Sequence, residues 1–234
     1  TNHSFRDRDI GFLNNERILF TSDRDGNYNL YALVSADPDQ SNLFLSLKHK
    51  VIQLTDTPSD ERRPVISPDN EKVAFTRGRG KLVVASLEGI SDGNPGLEEE
   101  TVLLDGWATP DDVSWSPDSR WLAYSKNDLD FNEEIYIHKA DDTREPVNIS
   151  KHPRPDTNPV WSKDGSKLAF LSSRNNGDRD IWFAWLKEED WEKTNLDWEM
   201  EPYRSAKDEE EQNGDNDDED EEEDEEKEEE PIEI

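Results

Sequence analysis

One phrase recurs three times in this chain, at intervals of 49 and 46 residues: a short apolar strand, a tight Ser-Pro-Asp-like turn and a second apolar strand. The copies run from Pro64 through Ser67-Pro68-Asp69 to Phe75, from Val113 through Ser116-Pro117-Asp118 to Tyr124, and from Pro159 through Ser162-Lys163-Asp164 to Phe170. A degenerate copy, Phe12 to Phe20, precedes them. Pro117 presets φ for the first turn position, and Asp118 can bond its own backbone two residues on. The position after the Asp favours φ > 0, which Asn70 and Gly165 tolerate and Ser119 fits less easily. A third strand follows each copy after a polar hairpin: Asn29–Leu33, Lys81–Ala85, Glu134–His138 and Asp180–Ala184. An outer strand closes the first three units, at Val51–Thr55, Thr101–Leu104 and Pro146–Ser150. Four antiparallel strands per repeat of this length is the unit of a propeller blade. The expected fold is therefore all-β, about four four-stranded β-propeller blades over residues 1–200 that form an incomplete propeller. The fourth repeat is expected to lack its outer strand.

An acidic low-complexity insertion over residues 201–230 comes next. Asp208 to Glu230 holds 18 acidic side chains and one Lys, −17 of the chain's net −31. With almost no apolar residue to offset its ordering entropy, this run is expected to be disordered and dispensable for folding. Residues 231–234, Pro231 to Ile234, alternate like the start of the next strand. The opening Thr1 to Ser4 reads like the end of an earlier blade, so the chain is expected to be an internal segment.

Outside the acidic run the chain is still at −14. That argues against nucleic acid and against anionic membranes, both of which need Lys and Arg to neutralise phosphate. No apolar run reaches the ~20 residues of a membrane helix, and no signal peptide is visible. Zero cysteines exclude disulfides and thiolate metal sites. A cytoplasmic location is expected, with periplasmic or secreted ones left open.

No residue is assigned to catalysis, cofactor binding or metal binding. His3, His49, His138 and His152 include no pair at i, i+4 with a Glu between, so a zincin site is absent. Ser67, Ser116 and Ser162 recur with the turn, as a nucleophile would not. Asp23-Arg24-Asp25-Gly26-Asn27 looks like a calcium loop, but the sixth and twelfth positions hold Tyr28 and Val34, so a hairpin turn is expected. Trp115 and Trp161 occupy equivalent positions and are expected to pack between blades. Trp107, Trp121, Trp191 and Trp198 break the repeat. Of these, Trp191 and Trp198 are expected to pack the stem of the insertion, with a partner contact as the alternative.

The stretches Asp112 to Ser125, Pro146 to Ser150 with Asn158 to Ser162, and Lys187 to Thr194 leading into an acidic insertion resemble the propeller region of tricorn-like proteases. The resemblance covers roughly Asn2 to Ile234. It implies a large modular serine peptidase whose propellers gate entry and exit, followed by a PDZ-like module and a catalytic core. No family catalytic residue falls within this sequence. The implied function is a non-catalytic segment that gates peptides or scaffolds assembly around that core. Its partners would be peptides or other domains of the same parent chain, with homo-oligomers possible. The alternatives are a TolB-like propeller acting as an interaction module and the propeller cap of a prolyl-oligopeptidase-type enzyme.

Overall fold

The computed structural model describes residues 4–88, 90, 96–194 and 196–201, except the side chain of Trp191. The acidic run, residues 231–234 and the Thr1 to His3 opening lie outside the described residues. Two compact units result, Thr1–Ala184 and Trp185–Ile234.

The first unit holds four antiparallel sheets in chain order. Blade one is β1 (Asp7–Asn14), β2 (Arg17–Ser22), β3 (Asn29–Ser35) and β4 (His49–Gln53). Blade two is β5 (Glu61–Ile66), β6 (Lys72–Arg77), β7 (Lys81–Ser86) and β8 (Glu98–Asp105). Blade three is β9 (Asp111–Trp115), β10 (Trp121–Asn127), β11 (Glu133–Lys139) and β12 (Val147–Asn148). Blade four has three strands among the described residues, β13 (Asp156–Trp161), β14 (Lys167–Asn175) and β15 (Asp178–Trp185). Strands pair with their sequence neighbours throughout, the meander expected of blades.

The second strands of blades two and three are buried on both faces because each of these blades lies between two others. Leu13, Leu19 and Leu30 of blade one pack with Val73, Phe75 and Val83 of blade two. Ala74, Leu82 and Leu103 on the far face of blade two meet Trp115, Leu122 and Tyr124 of blade three. Contiguous apolar runs such as Val73-Ala74-Phe75 follow from this, since alternate residues serve opposite junctions. The first strands touch in sequence, β1 on β5, β5 on β9 and β9 on β13. No extended packing joins the first and fourth blades among the described residues, so the sheets form an open propeller.

The turn after the Asp adopts the left-handed backbone in all three copies, with φ of 63° at Asn70, 57° at Ser119 and 68° at Gly165. One close approach depends on glycine. A Cβ at Gly80 would lie 1.7 Å from the Gly106 carbonyl oxygen, and that backbone contact joins the β6–β7 hairpin to the crossover after β8.

The second unit holds α1 (Glu188–Glu192) and a further helical segment over 196–201. Thr194 starts the latter: its hydroxyl accepts the Asp197 N–H at 3.3 Å and its own N–H donates to the Asp197 carboxylate at 3.0 Å, a capping box. Trp198 stacks on Trp185 with ring centroids 4.6 Å apart. Lys193 bonds Glu201 at 2.8 Å and Asp190 at 2.9 Å, which raises its ammonium to about 12. No helix among the described residues is long and apolar enough to cross a membrane.

Candidate functional site

The repeated serines hold turns. Ser116 Oγ accepts the Trp121 N–H at 2.9 Å and donates to Asp118 at 2.5 Å. Ser67 Oγ accepts the Lys72 N–H and donates to Asp69. Ser162 Oγ accepts the Lys167 N–H and donates to Asp164. Hydrogen bonds from Ser162 and Ser166, set against partial burial, hold the Asp164 carboxyl well below the usual carboxylate range. Ser116→Ala is expected to cost about 1–3 kcal/mol by orphaning the Trp121 amide. Ser67→Ala and Ser162→Ala should lose similar amounts in chemical denaturation. Comparable losses at all three mark a turn element, whereas a nucleophile would be one of a kind.

The histidines are likewise engaged structurally. His49 Nε2 contacts the Leu43 carbonyl at 2.9 Å, and buried His138 pairs with Asp142 at 2.9 Å. His152 Nδ1 accepts the Arg154 N–H; His3 lies outside the described residues. In the calcium-like loop, Gly26 (φ +112°) donates to the Asp23 carbonyl, and Asp25 accepts from the Tyr31 hydroxyl at 2.5 Å. It is a hairpin turn. Among the described residues no three His, Cys, Asp or Glu side chains converge as a metal-ligand set.

Trp115 and Trp161 stand between blades, as their equivalence in the repeat suggests. Each indole N–H donates across the junction, Trp115 to the Val65 carbonyl at 2.9 Å and Trp161 to the Ser114 carbonyl at 3.3 Å. Trp121 is buried, whereas Trp107 is half exposed.

Two repeated constellations escape a reading of residue types. In three blades an acid at the start of the first strand pairs with an Arg from the β2–β3-type hairpin. The pairs are Asp7 with Arg24 at 3.1 Å, Glu61 with Arg77 at 2.7 Å and Asp156 with Arg174 at 2.9 Å. Each guanidinium also lies over an aromatic of the second strand, Phe20, Phe75 or Phe170. In blade three Pro110 stands in the acid's place, and Lys126 lies over Tyr136 instead.

The second constellation is a row of bulges. Asp9, Arg63, Asp112 and Asn158 all have left-handed φ, between 51° and 55°, where the first strand of each blade slips register. An extra residue at a bulge turns its neighbours out of the ladder. Here it links one blade to the next. Asp9 accepts the Arg63 N–H at 3.1 Å and Arg62 Nε at 2.8 Å, and its carboxyl is held low: burial raises it, but the Arg62 and Arg63 hydrogen bonds outweigh that. Arg63 reaches Asp111 at 2.7 Å, and Asp112 accepts the Asn158 N–H at 3.1 Å. The touching first strands thus carry a chain of carboxylates, guanidinium groups and an amide, from partly buried at Asp9 and Arg62 to half exposed at Arg63 and Asp111, which makes it the candidate binding surface.

No family model matches the chain, and no curated protein matches it in sequence. Solved structures do. The tricorn protease aligns at 13% identity and a TM-score of 0.55, over 78% of this chain and 18% of that one. A puromycin-hydrolyzing peptidase of Mycobacterium tuberculosis aligns at 14% and 0.56, over 80% and 29%. An acylaminoacyl peptidase of Pyrococcus horikoshii aligns at 16% and 0.49, over 77% and 31%. The chain spans less than a third of each. The four sheets are propeller blades, and the structural neighbours are TolB-like, tricorn and prolyl-peptidase-type propeller proteins.

Proposed function

We propose that this chain is a non-catalytic propeller segment that handles peptides, directing them to a serine-peptidase core or holding that core's assembly together. The observation that carries the reading is the bulge row: the touching first strands present fixed charges and an amide, with no nucleophile and base among them. Such a surface offers an extended peptide both side-chain and main-chain partners. Because fold alone does not fix function, the peptidase context comes by analogy with the two neighbours at TM-scores of 0.55 and 0.56.

Photo-crosslinking tests it. Benzophenone-bearing decapeptides are expected to label β1, β5, β9 and β13, or the loops that lead into them, and to be recovered uncleaved. Labelling confined to the outer strands β4, β8 and β12 overturns the assignment. Cleavage abolished by one Ser or His substitution overturns the non-catalytic reading.

A further inference from the structure

We infer that two loops, Gly106–Ala108 and Asp128–Asn132, form a docking clamp for a peptide segment that carries an arginine or lysine beside an apolar side chain. The inference rests on the peptide-handling reading and names the substrate chemistry that one rim of the propeller selects.

The two loops lie on the same rim, since one is a crossover between blades and the other a hairpin between second and third strands. Trp107 and Phe131 meet there with ring centroids 5.3 Å apart, tilted at 60°, yet they are 48% and 76% exposed. Leu129 beside them is 85% exposed. The corresponding hairpins of the other blades carry no such residues: theirs are Arg24-Asp25-Gly26, Gly78-Arg79 and Asn175-Asn176-Gly177. Phe131 also has φ +62°. A bulky aromatic rarely adopts the left-handed backbone, and strain of this kind gathers at functional sites. The fold gains no burial from that residue in return.

The loop is preorganised. Asp128 accepts the N–H groups of Asp130 at 2.8 Å and of Asn132 at 2.9 Å, and its own N–H donates to the Asn132 carbonyl. Beside Trp107 a cleft of about 210 Å³ is floored by the Gly80–Gly106 backbone contact.

Charge selects the occupant. Lys81 is held by Asp105 at 3.0 Å, and Lys126 is drawn over the Tyr136 ring at 4.5 Å. Asp128, which also attracts Lys126, and Asp130 put two carboxylates in this loop, on a chain of net charge −31. A cation over the face of Trp107 or Phe131 is attracted by the ring quadrupole and by these carboxylates, while Leu129 accepts an apolar neighbour. Acidic peptides meet repulsion.

Fluorescence anisotropy with two labelled hexapeptides, leucine alternating with arginine or with glutamate, tests this on the whole chain. The arginine peptide should bind and the glutamate peptide should not. Trp107→Ala and Phe131→Gly should each weaken arginine-peptide binding at least tenfold. Phe131→Gly should also keep or raise the unfolding midpoint, because glycine takes φ +62° freely. Unchanged affinity in both variants, equal binding of the glutamate peptide, or a lower midpoint in Phe131→Gly overturns the clamp. If axis-side crosslinking persists in that case, the peptide-handling reading survives. Binding of neither hexapeptide, together with failed crosslinking, overturns both.

Discussion

Arg77→Ala is expected to lower the unfolding free energy by about 3–5 kcal/mol, the range for removing one partner from a buried ion pair. Glu61 is fully buried, and its carboxylate meets Arg77 Nε at 2.7 Å. The same guanidinium holds Glu100 with two bonds of 2.8 Å and lies over the Phe75 ring, so one truncation undoes three contacts. Those partners raise the Arg77 pKa further still, so the guanidinium stays charged at every accessible pH. In a domain of this size the Tm should fall on the order of 10 °C. Glu61→Gln combined with Arg77→Met should recover most of the loss, because the Gln still accepts the Thr55 hydroxyl while no charge is left buried. Urea unfolding of the three proteins checks this. A loss under about 1 kcal/mol for Arg77→Ala would place the pair among solvated surface bridges.

What could be read from the sequence divides along the line between local and inter-blade chemistry. The Ser-Pro-Asp turns carry their own instructions, a preset φ and a side chain that bonds the backbone two residues on. The hairpins and third strands therefore fall where expected; Glu134–His138, for example, is observed as Glu133–Lys139. Equivalence in the repeat also placed Trp115 and Trp161 between blades. The bulge row was not legible, because Asp9, Arg63, Asp112 and Asn158 share a backbone conformation and no residue type. The acid–Arg pairs were hidden for another reason. The Arg follows its aromatic by four residues in Phe20–Arg24 and Phe170–Arg174 but by two in Phe75–Arg77, because the hairpins differ in length. A fixed-period comparison misses partners whose spacing changes while their place in space does not. Phe131 illustrates the remainder: its side chain is plain in the sequence, but its exposure and left-handed backbone are known only once the loop is folded.

The largest effect on assembly is expected at the outer face of blade four. Ile181 and Phe183 occupy the places of Leu30 and Ala32, of Leu82 and Val84, and of Ile135 and Ile137, all of which are buried under the following blade. Ile181 and Phe183 are 77% and 55% exposed, and Val160 on β13, two strands away across β14, is 61% exposed. A contiguous apolar sheet face of this kind drives association, and stacked repeats hide such faces only against a neighbour. The chain is therefore expected to self-associate, with a sedimentation coefficient that climbs with concentration through the micromolar range typical of exposed apolar surface. Ile181→Lys with Phe183→Lys should hold it monomeric while moving stability by no more than about 0.5 kcal/mol each, as surface substitutions do. The same changes at Leu82 and Val84 should unfold the protein, because those side chains sit inside a packed junction. A monomer at every concentration tested would contradict the expectation. So would a double-Lys variant destabilised as severely as the Leu82 and Val84 one, since that would show the face already covered by the chain's own residues.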